Sequence, residues 1–522
     1  MVQQSQRSSS VVLIVIGLSL AMFMFSVNQT MLSVALPTIV GSLHGGDHIL
    51  WISTSYMLAS TIFLPMYGKL GDRYGLKKLF LFALIVFIIS CVYGTFVNSM
   101  PALVITRFIQ GMGGGGLVVL SQALLAAAVP RRERGKYMGF IGSVFVISTV
   151  AGPVLGGLIT EYWNWRWTFG VNVPFGIASL FLCIKFLREP EPEKQSSRID
   201  VAGMVLIGAV STFLVLCTAW AGHGGWGQPK VVLCMVGAAA CVVACMWVEK
   251  HAGDPVLSPY ILTNRNFFLA TLIGMLLALG TFGVTTYLPA YIQIVEGIDA
   301  VTAGFVLLPM TALMFAFSLI SGFMVSKTEK YRALLVTSGV FCVAGFLALS
   351  SLHTGSGVYV LIAVLCVLGV GFGLGTQLSV LVVQNSFSTK VMGTATASNS
   401  LFRDLAGTLG MSVVGAFFAS RASARFAETG TGVSFASLTP ESMKQLHEPV
   451  HSIIAQAYHD ALIPVLGTFV PLMIAVVVAA IFVRDDRLRD TGTVTRVRLT
   501  TRAKLLIPAC NYRLPPFPSR PP

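Results

Sequence analysis

Long apolar segments separated by short charged loops dominate this chain of 522 residues. A helix that crosses a membrane needs about 20 predominantly apolar residues, and about fourteen segments are of that kind. Only 11% of the residues are charged, whereas soluble proteins carry roughly 25%. We therefore predict an all-α polytopic membrane protein with about 14 transmembrane helices. The segments cover residues 11–36, 51–68, 79–97, 102–126, 138–160, 167–187, 201–221, 230–248, 268–294, 303–325, 333–352, 357–383, 395–420 and 461–483.

The distribution of basic residues predicts the orientation of these helices. Lysine and arginine cluster in the loops that follow the even-numbered segments, and few occur in the other loops. An excess of positive charge is typical of cytoplasmic loops. Both termini are therefore expected in the cytoplasm, with residues 1–10 as the N-terminus and 421–460 as a long external loop. Within that loop, residues 441–459 are expected to form an amphipathic helix.

The remaining composition points to no cofactor. The net charge of +14 comes from orienting loops, so no nucleic-acid partner is expected. Eight of the nine cysteines lie in apolar segments without zinc spacing and are interpreted as packing residues. His447, His451 and His459 are expected on the surface of the external loop, and no metal site is predicted. The Arg- and Pro-rich tail, 485–522, is predicted to be disordered.

A short loop after the second segment, GKLGDRYGLKK, combines glycines with an acid and several bases. Glycine permits a tight reversal of the chain with positive φ. An aspartate in such a loop can complement the positive N-terminus of a nearby helix. The bases would anchor the inner face of the membrane. We interpret this stretch as a gate loop whose candidate residues are Gly68, Asp72, Arg73, Gly75, Lys77 and Lys78.

The pattern G-x-x-x-D-R-x-G-x-K-K resembles the loop signature of the major facilitator superfamily. Two further stretches look similar to its fourteen-span drug:proton antiporter branch: RFIQGMGGGG, which starts at Arg107, and AGPVLGG, which starts at Ala151 and is followed by WNWRWTFGVNVPFG. VALPTI, YLPAYIQ and FRDLAGTLG resemble the same branch. The resemblance covers about residues 11–484.

This resemblance implies a fold, a function and a gate. The fold has two six-helix bundles, 11–190 and 265–484, flanking two additional helices, 201–248. The function is export of small lipophilic compounds by alternating access, driven by the proton motive force, with a path between the bundles near the midplane. Asp72 would lock the cytoplasmic side, with Arg134 as its partner.

Small residues in the fifth segment suggest a helix with one narrow face. Gly152, Pro153, Gly156 and Gly157 predict a bent helix that can approach a neighbour closely. We expect this face to form a pliable seam between the two bundles.

Polar residues inside the predicted spans are candidates for transport and coupling, because such residues are costly in a membrane. They are Asn28, Thr30, Arg107, Gln110, Arg403 and Asp404. The resemblance implies an acid at position 28, in a D-x-T pattern, but this chain has an amide there. Three interpretations stay open: coupling has moved to Asp404; Asn28 binds substrate while Arg107 favours an anionic or neutral one; or transport is uncoupled.

The expected setting is the inner or plasma membrane, with a small-molecule substrate, the lipid bilayer as surroundings and a monomer rather than an oligomer. A periplasmic adaptor, if one is engaged, would meet the loop 421–460. The alternatives are an uncoupled facilitator or exporter of an anionic metabolite, and a membrane sensor that does not transport. The sequence has no G-x-x-x-x-G-K-[ST] loop and no catalytic constellation, so neither ATP-driven pumping nor an enzyme is predicted.

Overall fold

Fourteen long helical elements follow one another in a computed structural model, which describes residues 2–43, 49–187, 200–224, 226–252, 255–256, 258–430, 435, 443 and 449–485. Two of these elements are interrupted by one-residue turns, α6 at Val171 and α14 at Thr468. The helices are α1 Val2–Leu43, α2 Ile49–Tyr74, α3 Leu76–Gly94, α4 Met100–Ala128, α5 Arg131–Tyr162, α6 Trp167–Phe186, α7 Val201–Gly224, α8 Pro229–His251, α9 Arg265–Val295, α10 Ala300–Thr328, α11 Arg332–Ser350, α12 Val358–Ser386, α13 Met392–Glu428 and α14 Val450–Phe482.

Twelve of these helices are long and apolar enough to cross a membrane, which makes the chain a multi-pass membrane protein. The other two are α2 and α5, with 26 and 32 residues. The charged residues of α2 lie at its end, in KLGDRY, and most of those of α5 lie at its start, in RRERGK. The predicted total of fourteen spans is therefore consistent with the helices but not confirmed for these two.

The helices pack in two groups of six. In the first group, α1 packs against α4, α5 and α6, and α4 also packs against α2 and α3. In the second group, α9 packs against α12, α13 and α14, while α12 also holds α10 and α11. The predicted additional helices, α7 and α8, pack against each other, and α7 also contacts α2 and α13. This arrangement agrees with the predicted fold of two six-helix bundles and an additional helix pair.

The two bundles touch through backbone at the membrane side where α2 ends and α3 begins, which we call the gate end. The predicted gate loop is helical there except at Gly75, because α2 runs to Tyr74 and α3 starts at Leu76. A Cβ atom built on Gly139 of α5 would lie 2.6 Å from the carbonyl oxygen of Ser318 in α10. A Cβ atom on Gly68 of α2 would lie 2.6 Å from the carbonyl oxygen of Gly393 in α13. Glycine lets helices approach this closely. The gate end is therefore closed by two glycine-lined seams, α5–α10 and α2–α13.

Several helices extend beyond the predicted apolar segments, because a helix can continue past the hydrocarbon core. The external loop was predicted at 421–460, but α13 runs to Glu428 and α14 already begins at Val450. The surface position predicted for His459 is consequently wrong: its side chain is buried in α14, 2.8 Å from the Tyr291 hydroxyl at Nδ1. His447, most of 441–449 and the tail after 485 lie outside the described residues.

Candidate functional site

The buried guanidinium of Arg107 lies seven residues after the start of α4 at Met100, about 10 Å along the helix at 1.5 Å per residue. Only 1% of this residue is exposed. Glycines on α4 bring α2 close to it: a Cβ atom on Gly115 would lie 2.5 Å from the carbonyl oxygen of Ser60. This close approach places the α2 residues Ile52 and Tyr56 beside Arg107.

Four hydrogen bonds to neutral oxygens hold the guanidinium. Its Nη1 donates to Oδ1 of Asn28 at 2.8 Å and to Oε1 of Gln110 at 2.5 Å. Its Nη2 donates to Oε1 of Gln29 at 2.5 Å, and its Nε donates to the carbonyl oxygen of Ile52 at 3.2 Å. We call the three side chains Asn28, Gln29 and Gln110 the amide cage.

Arginine stays protonated in proteins, so Arg107 carries its charge inside the bundle. No ion pair to it occurs among the residues that the structure describes. The amide cage and the Tyr56 ring, whose centroid is 4.2 Å from Cζ, offset part of the cost of burial. The predicted residues Asn28, Arg107 and Gln110 are thus brought together. Gln29 was not predicted as a site residue, although it stands beside Asn28 in a polar interruption of an apolar segment.

Thr30 and the fifth-segment glycines join α1 to α5. The Thr30 hydroxyl donates to the carbonyl oxygen of Ser148 at 3.2 Å, and a Cβ atom on Gly152 would overlap that hydroxyl. A Cβ atom on Gly156 would lie 2.7 Å from the carbonyl oxygen of Met31. The prediction that this face forms the seam between the bundles is therefore wrong, because it packs inside the first bundle.

The other two predicted residues of this helix contribute less to that contact. Pro153 is exposed, and a Cβ atom on Gly157 would meet nothing within 4 Å. The seam between the bundles uses an earlier glycine series on α5, formed by Gly135, Gly139 and Gly142. The two series lie on the same helix but face different neighbours.

Asp72 connects the bundles at the gate end. Its Oδ1 accepts a hydrogen bond from the backbone N–H of Gly393 at 2.7 Å. Its Oδ2 accepts from the backbone N–H and the hydroxyl of Thr394 at 2.7 and 2.6 Å. Because α13 starts at Met392, these N–H groups belong to its first turn, where they lack partners within the helix. The carboxylate thus caps a helix of the opposite bundle and complements its positive end.

Two basic residues of the gate, Lys77 and Arg134, make contacts of their own. Lys77 donates to the carbonyl oxygen of Leu187, at the end of α6. Arg134, predicted as the partner of Asp72, is 4% exposed and donates through Nη1 to the carbonyl oxygen of Gln384 and to Oδ1 of Asn385, both at 3.4 Å. The described donors to Asp72 are those of α13. Asp72 and Arg134 therefore contact two different helices of the second bundle.

The remaining gate-loop residues shape the turn and its surface. Gly75 has a φ of 101°, a conformation that favours glycine, and it separates α2 from α3. Arg73 lies over the ring of Tyr74 at 5.8 Å, and Lys78 is exposed.

Asp72 lies beyond the apolar segment 51–68, and its environment changes its affinity for protons. Burial raises the pKa of its carboxyl from 3.8 to about 7, although the Thr394 and Gly393 donors and the Lys69 ammonium lower it. When the bundles separate and water reaches this carboxyl, its pKa would return towards the ordinary value. The closed gate end therefore binds a proton at Asp72 more tightly than an open one.

Closure of the gate end is accordingly expected to strengthen as the pH falls. The contribution of Asp72 is complete below about pH 4 and is lost as the pH rises through about 7. Alkylation of a cysteine placed at Ser326, whose hydroxyl meets the Lys136 N–H across the α5–α10 seam, measures this closure. The thiol itself reacts more slowly at low pH, because only the thiolate is alkylated, so the rates are compared with those of the same cysteine in Asp72→Asn. Relative to that variant, we expect alkylation to slow further as the pH falls. The same profile in both proteins would contradict this role of Asp72.

Arg403 and Asp404 form an ion pair on α13. The Nε of Arg403 lies 3.3 Å from Oδ1 of Asp404, and their side chains are 14% and 44% exposed. Asp404 lies twelve residues after the start of its helix, about 18 Å along it. It is therefore a half-exposed carboxylate well inside the length of a predicted span. It is not among the hydrogen-bond partners of Arg107.

These features define a class of protein: a helical membrane transporter with two bundles, hydrogen bonds between them that can open, and polar groups within its spans. Residues 18–411 match the family model described as Major Facilitator Superfamily, and the chain belongs to that family. It is 32% identical over 411 residues to multidrug resistance protein 3 of Bacillus subtilis (strain 168), covering 78% of this chain and 80% of that one.

Two further comparisons agree with this family. The multidrug transporter protein MdtP of Bacillus subtilis (strain 168) is 30% identical over 421 residues, which cover 80% of this chain and 76% of that one. Among solved structures, the human organic anion transporter MFSD10 matches with a TM-score of 0.61. The match covers 91% of this chain and 99% of that one at 16% identity, so it supports the fold alone.

Proposed function

We propose that this protein exports small lipophilic compounds by alternating access and couples export to inward movement of protons. The observation that carries the proposal is the cap that Asp72 places on the first turn of α13. It joins the two bundles through hydrogen bonds that water can replace when the bundles separate. The printed names of the Bacillus relatives, a multidrug resistance protein and a multidrug transporter, support the substrate class.

The glycine seams fit such a motion. At Gly139 and Gly68 the backbones of the two bundles approach each other directly. Contacts of this kind can separate without large rearrangement of side chains, which suits rocking of one bundle against the other. The predicted orientation would make the gate end cytoplasmic, so this state would face outward.

Asp404 is the carboxylate that we assign to proton coupling. The amide cage around Arg107 cannot exchange protons, because amides do not titrate. Asp404 can titrate, its side chain is 44% exposed, and Arg403 beside it can hold the ionised form. Loss and gain of a proton at this pair would change the charge on α13, whose first turn is the helix end that Asp72 caps.

We expect Asp404→Asn to abolish substrate-induced proton movement. The measurement is dissipation of an imposed pH gradient in everted vesicles that hold the purified protein, after a lipophilic compound is added. The matched control is Asp460→Asn, which removes an exposed carboxylate bonded to Gln456 in α14. A response that persists at full size in Asp404→Asn would exclude Asp404 as the coupling group.

A second candidate function is a facilitator that moves its substrate without protons. The observation that favours it is the amide at Asn28, 2.8 Å from the Arg107 guanidinium, where the family resemblance implies an acid. If the unmodified protein leaves the gradient unchanged while it moves a compound, and Asn28→Asp gains a proton response, this candidate replaces antiport.

A further inference from the structure

We infer that the Arg107 site recognises the anionic head of a lipophilic monoanion, such as a carboxylate or sulfonate on an aromatic body. This inference deepens the proposed function and rests on it. It concerns the charge of the compounds that the site accepts, and it follows from the uncompensated charge of the site, the free hydrogen-bonding capacity around it and its aromatic surroundings.

The first step is the balance of charge. The helices α1, α3 and α4 contain no acidic residue, and Asp72, the one acid of α2, is bonded to α13 at the gate end. With Asn28 in place of a carboxylate, Arg107 retains a full positive charge within this group of helices. At an effective dielectric constant of about 20, a unit charge about 6 Å from the charged group of a ligand changes the binding constant of that ligand by about a hundredfold. Such a field favours anions and disfavours cations.

The second step is hydrogen-bonding capacity. A guanidinium has five N–H donors, and four of those on Arg107 have acceptors among the described residues. The remaining donor is on Nη2, the nitrogen that also holds Gln29. Asn28 and Gln110 are buried, whereas Gln29 is half-buried, so Gln29 marks the side from which the guanidinium can be reached. An anionic oxygen can take the remaining donor and replace the Gln29 oxygen.

The third step is the neighbouring aromatic side chains. The Tyr56 ring, which lies against Arg107, is 6.0 Å from the Phe25 ring, and Phe25 is 6.3 Å from Phe145. The Tyr56 hydroxyl is buried and has no hydrogen-bond partner among the described residues. A ligand with an aromatic body and an anionic head would meet both the apolar rings and this unused hydroxyl.

The test compares three compounds with one naphthalene body that carries a sulfonate, a neutral sulfonamide or a trimethylammonium group. Their binding to the full-length protein in nanodiscs and their transport in proteoliposomes are measured. For the unmodified protein we expect the sulfonate to bind at least about tenfold more tightly than the trimethylammonium compound. Equal binding, or tighter binding of the cation, would overturn the inference.

Two variants place a carboxylate against the same guanidinium. Asn28→Asp does so from α1 and Gln110→Glu from α4, and each is expected to lower sulfonate affinity by about tenfold or more and to remove the preference over the cation. The matched control is Asn98→Asp, because Asn98 also accepts a hydrogen bond from an arginine, Arg166, at 2.9 Å, but at an exposed position. The control is expected to keep the preference of the unmodified protein.

The outcomes separate this inference from the proposed function. Transport of all three compounds without discrimination by charge would leave export intact and overturn the anion preference. An unchanged preference in correctly folded Asn28→Asp and Gln110→Glu would show that Arg107 does not set it. Absence of binding and transport for all three compounds would overturn both the inference and the proposed function.

Discussion

Replacement of Gly139 by leucine is expected to abolish transport while the protein still folds and inserts. A Cβ atom at this position would lie 2.6 Å from the carbonyl oxygen of Ser318, and backbone atoms cannot move aside as a flexible side chain can. The bundles would be held apart along the α5–α10 seam, so the gate end could not close. We expect transport to fall by about a hundredfold or more, since a forced separation of several kcal/mol removes the closed state.

The matched control for this experiment is Gly304→Leu on α10. A Cβ atom on Gly304 would meet nothing within 4 Å, so the same substitution on a seam helix is expected to leave transport within about twofold of the parent. Transport is measured in proteoliposomes at equal protein density, with size-exclusion profiles to report folding. Normal transport by Gly139→Leu would mean that closure of this seam is not part of the cycle.

Replacement of Asp72 by alanine is expected to weaken closure at the other seam. The substitution leaves the N–H groups of Gly393 and Thr394 and the Thr394 hydroxyl without the carboxylate that now accepts from them. Such hydrogen bonds contribute about 0.5–1.5 kcal/mol each when the carboxyl is protonated and about 1.5–3 kcal/mol each when it is ionised. Loss of this cap should therefore shift the equilibrium towards an open gate end and lower transport by about tenfold or more.

An exposed acid at the same end provides the control for that substitution. Glu133→Ala removes a carboxylate from the first turn of α5 that is exposed at its surface, and it is expected to change transport little. Gate-end opening is followed by alkylation of the cysteine at position 326. An unaltered alkylation rate in Asp72→Ala would contradict the assignment of Asp72 as a latch between the bundles.

The sequence was sufficient to predict the family fold and the motif that carries Asp72, because apolar length and local motifs are written in consecutive residues. It did not predict that Asp72 lies within α2, since the motif was interpreted as a loop. It predicted that Asp72 would complement a helix N-terminus. It could not predict that this helix is α13, since Gly393 and Thr394 are separated from Asp72 by 321 and 322 positions in the sequence. The partner predicted from the sequence, Arg134, contacts the end of α12 in this state.

Small residues were harder to interpret than charged ones. The helix α5 has two glycine series, and periodicity alone does not say which neighbour each series meets. The series that includes Gly152 and Gly156 packs on α1, and the series that includes Gly135 and Gly139 packs on α10. Gln29 is not predictable from the sequence as a site residue, because its role depends on the position of Arg107 in another helix, 78 residues away in sequence.

Alternating access itself is tested most directly by a distance measurement across the α5–α10 seam. Lys136 and Lys327 are exposed at the gate end of these helices and can be replaced by cysteines that carry spin labels. Pulsed electron–electron double resonance of the labelled protein in nanodiscs then reports the distance between the two labels. It is measured with and without a transported compound, at pH values on either side of 7. We predict two distance populations, a short one for the closed gate end and a longer one, whose proportions shift with compound and pH. A single short distance under all conditions, in a protein that still transports, would contradict the account.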